Sequence, residues 1–335
     1  MTRSSTVVRV ADSSEVSSAR RMAMQCASEL RLDETAAAKA ALVATELATN
    51  LLKHAQGGAI LFGSEDHAPG TLTITSIDKG KGIPNMVAAM RDGHSTAGSH
   101  GQGLGAIWRA ASFFDVYTLP DRGTAILCRI GDEAKPSPFV APNRIRFGGV
   151  CVAKPPETQS GDAWATTVTR DVVTISVIDG LGHGPAAALA ACAAARVFRE
   201  QEGHPLERML QDAHAALRPT RGAAVGIARI HAAQGRLEFG GVGNIAGIIV
   251  ADEGARRVVS TNGIVGHEMR KVLTFSYPWT ESSVLIVQSD GVSASWNPAR
   301  YPGLMQHDPA LIAAVLYRDH GRGTDDATVV VAKAS

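Results

Sequence analysis

The sequence predicts two α/β domains in tandem, a mixed α/β sandwich followed by a β-rich sandwich flanked by helices. Three observations predict it. The chain has 335 residues, too many for one ordinary small domain and enough for two, each with its own core. Helix and strand signals alternate up to about residue 130, whereas short β-branched runs dominate the remainder. Between them, residues 131–142 shift to Gly, Asp, Glu, Lys, Ser and three prolines, a composition that disfavours helix and ladder alike. The first domain is therefore set at 1–132, the linker at 133–142 and the second domain at 143–335.

In order along the chain, residues 1–10 end in a short β-branched run, read as a first strand. Apolar residues then recur at helical spacing over 14–30 and 33–54, with Ser14 and Asp33 as N-caps. Strands follow at 59–62 and 72–77 around a polar turn at 63–70. A second pair, 113–119 and 124–130, turns at Asp121-Arg122-Gly123. Helices on one face of a sheet result. Beyond the linker, strands are expected at 172–178, 225–230, 245–250, 284–287 and 328–331, and helices at 185–199, 205–217 and 309–317. There is no fixed-period repeat and no low-complexity tract.

Lys and Arg total 33 against 32 Asp and Glu, so no global field is present to hold the protein on nucleic acid or an acidic membrane. Neither is expected as a partner. Cys26, Cys128, Cys151 and Cys192 form no CxxC or Cys/His cluster and sit in apolar or Ala-rich runs, which reads as reduced core residues. The amino terminus lacks the basic stretch and apolar core of a secretory signal. The longest apolar stretch, 185–197, is mostly alanine and falls short of the roughly 20 residues of a membrane span. A cytoplasmic protein is expected.

Glu46 and Asn50 stand four apart on a predicted helix and so project from one face, with His54 a turn further. Asp78-Lys79-Gly80-Lys81-Gly82 follows a strand, and Gly101-Gln102-Gly103-Leu104-Gly105 precedes a helix whose first amides suit phosphate. Each glycine pattern alone is weak. Their order carries the signal: carboxamide helix, strand with Asp-x-Gly-x-Gly, Gly-rich helix start, then Gly123-Thr124 opening a strand. In that order they resemble the Bergerat ATP-binding fold over residues 5–130. The resemblance implies ATP with Mg²⁺ held by Asn50, and Asp78 accepting the adenine amino proton with Thr124 in support. Gly80 and Gly82 would let the backbone approach the base, and Gly101, Gly103 and Gly105 would line the phosphates.

More narrowly, Glu46-Leu47-Ala48-Thr49-Asn50, residues 78–84 and Asp92-Gly93-His94-Ser95-Thr96-Ala97-Gly98 resemble RsbT-type switch kinases and their RsbW-type anti-sigma relatives. Those phosphorylate Ser or Thr on STAS-domain partners. By that resemblance Glu46 orients or deprotonates the substrate hydroxyl. Read alone, Glu46 is a solvated helix residue; beside Asn50 and the glycine motifs it becomes a site residue. His54 is read as packing the helix end beside Gly57, and Lys53 and Lys79 as solvated charges.

In the second half, Ser160-Gly161-Asp162, Asp179-Gly180-Leu181-Gly182-His183-Gly184, Ser289-Asp290-Gly291 and Thr324-Asp325-Asp326-Ala327 place carboxylates in turns or after short apolar runs. Gathered together, four carboxylates would repel one another and raise their pKa values unless cations sat between them. Mg²⁺ or Mn²⁺, which take oxygen ligands, would resolve this. A single Asp-Gly is a common turn dipeptide; the ordered set resembles PPM-type phosphatases, especially their SpoIIE/RsbX branch, from about residue 144 onward. The implied fold is an α-β-β-α sandwich.

The resemblance makes Asp179 the bridge between two metal ions, Gly180 a carbonyl ligand, Asp162 an outer ligand, and Asp290 and Asp325 ligands of the second ion. Asp326, beside that position, supports a ligand. Gly241-Val242-Gly243-Asn244 and Asn262-Gly263-Ile264-Val265-Gly266 match the same branch. His183 reads equally as a general acid for the leaving oxygen or as a loop residue. No arginine matches the phosphate-binding arginine of the eukaryotic enzymes, which points toward protein substrates recognised by docking.

Together the halves imply a bifunctional partner-switching regulator. It would be a metal-dependent serine/threonine phosphatase acting on phosphorylated STAS-domain proteins, whether anti-sigma antagonists or stressosome-like proteins, with a kinase-like domain toward the same partners. Two alternatives stay open: the first domain as a nucleotide sensor for the phosphatase, or the chain as a non-catalytic adaptor whose conformation ATP selects.

Overall fold

The computed structural model describes residues 4–64, 70–90, 103–131, 145–169 and 172–334. These fall into two compact units, one within residues 5–139 and the other within 140–335. The expected linker at 133–142, the stretch 92–98, Gly101 and most of the turn at 63–70 lie outside the described residues.

The first unit runs β1 (Thr6–Val10), α1 (Ser14–Glu29), α2 (Glu34–Ala55), β2 (Gly58–Ser64), β3 (Thr71–Ile77), α3 (Met86–Ala89), α4 (Gly103–Ala110), β4 (Phe113–Leu119) and β5 (Gly123–Gly131). Its strands form one antiparallel sheet in the order β1-β2-β3-β5-β4. Alternate residues, Ile60 and Phe62, Leu72 and Ile74, Ile126, Cys128 and Ile130, face one way and meet Ala19, Ala23, Ala40, Val43, Ala44 and Leu47 of the helices. Alanine lets α1 and α2 lie close to each other and to the sheet.

Asp33 caps α2 as expected, its carboxylate accepting the Ala36 amide at 2.7 Å. Ser14 does not cap α1. The N-cap is Ser13, which makes no side-chain cap bond; Asp12 instead accepts from the Ser14 amide at 2.8 Å and the Ser14 hydroxyl at 2.6 Å. A carboxylate is the stronger acceptor, and it takes the role from the hydroxyl.

The second unit continues with β6 (Ile145–Val152), β7 (Asp162–Val168), β8 (Val172–Gly180), α5 (Pro185–Glu200), α6 (Leu206–Leu217), β9 (Ala223–His231), β10 (Arg236–Val242), β11 (Ala246–Ala251), β12 (Gly254–Arg257), β13 (Thr274–Pro278), β14 (Val284–Gln288), α7 (Pro309–His320) and β15 (Ala327–Ala334). Two five-stranded sheets form, ordered β13-β10-β9-β8-β7 and β12-β11-β14-β15-β6. Phe147, Trp164, Ile175, Val177, Phe239, Leu285, Val287 and Val330 fill the space between them. Helices α5 and α6 cover the outside of the first sheet, Ala191, Ala194, Ala195, Phe198 and Leu210 packing on Ile178, Val225, Ile227 and Val242. Helix α7 packs on β6 and β15 of the second. The layers are therefore α-β-β-α.

All four cysteines are free, Cys128 and Cys151 buried, Cys26 and Cys192 half-buried. Burial pushes the Cys26 thiol up to about 11 and Cys151 up to about 12, so neither is a thiolate near neutrality. Among the described residues, no helix is long and apolar enough to cross a membrane.

Candidate active sites

In the first unit a cavity of about 390 Å³ opens beside α2, α3 and α4, lined by Asn50, His54, Ser76, Asp78, Gly82, Asn85, Gly103, Gly105 and Thr124 among others. That volume suits a small ligand. Asp78 sits just past β3, and one of its carboxylate oxygens accepts the Gly80 amide at 2.8 Å and the Thr124 amide at 3.1 Å. Its own amide donates to the Thr124 carbonyl at 3.0 Å. Adjacent strand ends thus fix the carboxylate at the cavity wall. Thr124 lies 3.1 Å, oxygen to oxygen, from Thr118, whose hydroxyl accepts the Ile83 amide at 2.8 Å.

The expected residues are distributed unevenly. Asn50, Asp78, Gly82, Gly103, Gly105 and Thr124 all line the cavity, and a Cβ on Gly103 would lie 3.7 Å from the Asn50 side-chain oxygen. Gly103 and Gly105 belong to the first turn of α4 itself. Gly80 does not line the cavity; its amide braces Asp78 instead. Glu46 is half-buried one turn before Asn50 and is also outside the lining. His54, Ser76 and Asn85 were not expected there. His54 follows Asn50 by four on α2, and Ser76 precedes Asp78 by two along β3, so spacing could have found both.

In the second unit Asp162 opens β7 and Asp179 is the penultimate residue of β8, and the two are direct cross-strand partners. Asp290 follows β14 and Asp325 precedes β15, which pair antiparallel. Each pair of turns therefore brings two carboxylates to one end of its sheet. The ends meet: the Ser289 hydroxyl donates to Asp162 at 2.6 Å. The residue after Asp179 is glycine because α5 comes so close; a Cβ on Gly180 would stand 2.3 Å from the Ala187 carbonyl oxygen.

The gathering has an electrostatic consequence. Burial and the charges of Asp162, Asp290, Asp325 and Asp326 raise the Asp179 carboxyl well above the usual carboxylate range. Asp162, 4 % exposed, is raised by burial and by Asp326 and Asp290, against the opposing bond from Ser289. Asp290 is raised by burial and Asp325, while Arg322 and the Asn244 amide, 2.7 Å away, pull the other way. Asp326 accepts the Lys154 and Gly161 amides at 2.8 and 2.9 Å and so holds the turn before β7. His183 is exposed and pairs with Glu157 at 3.1 Å.

Among the described residues, no three acidic, histidine or cysteine side chains are already arranged to hold one ion. Asp162, Asp290, Asp325 and Asp326 are instead each held by a hydrogen bond from a neighbour. The donor set is nonetheless all oxygen, with Gly180 adding a carbonyl, and it suits Mg²⁺ or Mn²⁺.

Fold and sites together define an ATPase-type domain joined to a PPM-type serine/threonine phosphatase domain. Residues 10–130 match the family model of the histidine kinase-like ATPase domain, and residues 169–335 that of stage II sporulation protein E, SpoIIE. The chain is similar to the serine/threonine-protein kinase RsbT of Bacillus subtilis (strain 168), 32% identical over 120 residues that span 36% of this chain and 90% of RsbT. A structure reported for the bacterial stressosome as a modular system adapted to control secondary messenger signalling is 29% identical, with a TM-score of 0.54 over 56% of this chain and 99% of that one. RsbX in complex with magnesium shares the fold, at 20% identity and a TM-score of 0.50 over 57% of this chain and 96% of its own. The chain belongs to the RsbT family through its first domain and carries a SpoIIE-type phosphatase as its second.

Proposed function

We propose that this chain is a bifunctional partner-switching regulator that removes phosphate from Ser or Thr of STAS-domain proteins and uses ATP to phosphorylate the same partners. The observation that carries the phosphatase half is the meeting of Asp162, Asp179, Asp290 and Asp325 at one end of a SpoIIE-type sandwich. Asp179 would be the ligand shared by two Mn²⁺ or Mg²⁺ ions, and Gly180 would offer its carbonyl. Asp162, already accepting from Ser289, would be the outer ligand, and Asp290 and Asp325 would hold the second ion. When bound, such ions supply a nucleophilic water near neutral pH and neutralise charge on the phosphoryl group. His183, oriented by Glu157, hands a proton to the leaving oxygen.

In the first domain Asn50 would hold Mg²⁺ on the ATP phosphates, Asp78 and Thr124 would receive the adenine, and Glu46 would orient the partner hydroxyl. Likeness to a kinase by name supports this. With purified full-length chain, label from γ-labelled ATP should pass to a STAS-domain protein and be released on adding Mn²⁺; label that persists with Mn²⁺ present sinks the phosphatase half. A second reading, in which the first domain only senses nucleotide, is favoured by the position of Glu46 outside the cavity lining. In that case no label moves, and Glu46→Ala alters only how ATP controls phosphate release.

A further inference from the structure

Beside the loop that follows Asp179 lies a cation with no role in the scheme above. Arg221 lies in the short connection from α6 to β9. That connection is braced: Thr220 donates its hydroxyl to the Leu217 carbonyl at 2.7 Å and accepts the Gly222 amide at 3.0 Å. It is also tied to the loop that begins at Asp179, because the Leu181 amide donates to the Gly222 carbonyl at 3.0 Å. Arg221 reaches the same loop with its side chain. A Cβ built on Gly182 would stand 2.9 Å from Nη1 of Arg221, at a φ of +91°. Glycine there leaves room for a guanidinium three residues past Asp179.

Exposed arginines are ordinary, and placement distinguishes this one. Arg221 is exposed and, among the described residues, has neither a hydrogen-bond nor an ion-pair partner. Arg322, by contrast, already faces Asp290 and lowers its pKa. Arg221 is therefore not spent on a carboxylate, and its planar fork of donors fits the oxygens of a phosphate monoester. Beside carboxylates that would carry divalent ions, a guanidinium at this loop adds directional donors that the ions do not supply.

We propose that Arg221 anchors the phosphoryl oxygens of the phosphoserine or phosphothreonine substrate. This rests on the phosphatase reading. It also supplies the anion contact that no arginine in the sequence had matched, from a different place in the fold.

The test uses full-length protein loaded with Mn²⁺, p-nitrophenyl phosphate as substrate and inorganic phosphate as inhibitor. Arg221→Ala should raise KM and the phosphate Ki together by about ten- to a hundred-fold, the loss expected of charge-assisted hydrogen bonds, with kcat held, the mark of uniform binding. Arg221→Lys keeps the charge but loses the fork and should fall between. Mn²⁺ binding measured by calorimetry should match the wild type in both, which a merely structural role would not ensure. Unchanged KM and Ki in Arg221→Ala would overturn the assignment; should that variant fail to fold, unchanged values in Arg221→Lys would do so. If the wild type leaves p-nitrophenyl phosphate intact, phosphate release from a phosphorylated STAS-domain protein tests the phosphatase reading instead. Direct binding of inorganic phosphate to the Mn²⁺-loaded proteins then still decides: weaker binding to Arg221→Ala supports the anchor, and equal binding removes it.

Discussion

At Asp179 and Asp162, burial and neighbouring carboxylates act in the same direction, holding both carboxyls above their unfolded values. Without metal, the folded protein therefore keeps protons that the unfolded chain has released. The stability this gives is complete below the unfolded pKa and is lost as pH rises through the folded values. In EDTA, the unfolding transition that Mn²⁺ shifts should move to lower temperature between about pH 5 and pH 8, and Mn²⁺ should restore it. Asp179→Asn removes one of the repelling charges and should flatten that decline while abolishing phosphate release. A variant whose melting tracks the wild type at every pH would mean the cluster is not electrostatically coupled. Asp78 offers the opposite case. One of its oxygens accepts both the Gly80 and Thr124 amides, and asparagine retains such an acceptor. Asp78→Asn should leave melting nearly unchanged yet weaken ATP binding by about ten- to a hundred-fold, the cost of a lost charged acceptor, as calorimetry would register. These carboxylates were legible because strand ends and glycines mark them. Ser289 was not, since its bond to Asp162 spans 127 positions and no local pattern announces it. Asn244 lay inside a motif that matched the SpoIIE branch, but its bond to Asp290 exists only once two loops meet.

Helix α2 carries Asn50 and His54 to the cavity, so its first turn bears on a site several turns away. Asp33→Ala removes the bond to the Ala36 amide and should cost about 1 kcal/mol, read as a lower urea midpoint in the transition that ATP shifts. Ser14→Ala, by contrast, should cost less than Asp12→Ala, because the acceptor at the start of α1 is Asp12. Equal losses in the latter pair would contradict the observed cap. Among the strands, β8 was readable because its run from Val172 to Ile178 is almost wholly β-branched, and β14 and β15 likewise. Strands β6 and β10 were not: each carries a glycine pair, which dilutes the β-branched signal. The reason for one of those glycines is tertiary. A Cβ on Gly148 would stand 2.7 Å from the Ala310 amide nitrogen of α7, so the helix that covers the second sheet demands the residue that hides the strand. Strand β12, fully exposed and partly basic, lacks any apolar face to read.

A chain that both adds and removes phosphate on one partner differs from a chain that does either, because the two reactions close into a cycle whose net change is ATP hydrolysis. The phosphorylated fraction of partner then depends on the ratio of two rates, and either site can set it without the other changing. The two rates would draw on two sets of residues, Asn50 and Asp78 in one unit, Asp162, Asp179, Asp290 and Asp325 in the other, each unit with its own core. With a STAS-domain protein, ATP, Mg²⁺ and Mn²⁺ present, wild-type chain should release ADP steadily and well beyond the amount of partner. Asp179→Asn should release ADP only until the partner is fully phosphorylated and then stop, since nothing regenerates the acceptor. Asn50→Ala should release almost none from the start, yet still dephosphorylate partner prepared beforehand. A coupled assay for ADP distinguishes these time courses directly. Steady ADP release by Asp179→Asn at the wild-type rate would show that ATP is consumed without passing through the partner, and the two domains would then share a chain but not a substrate.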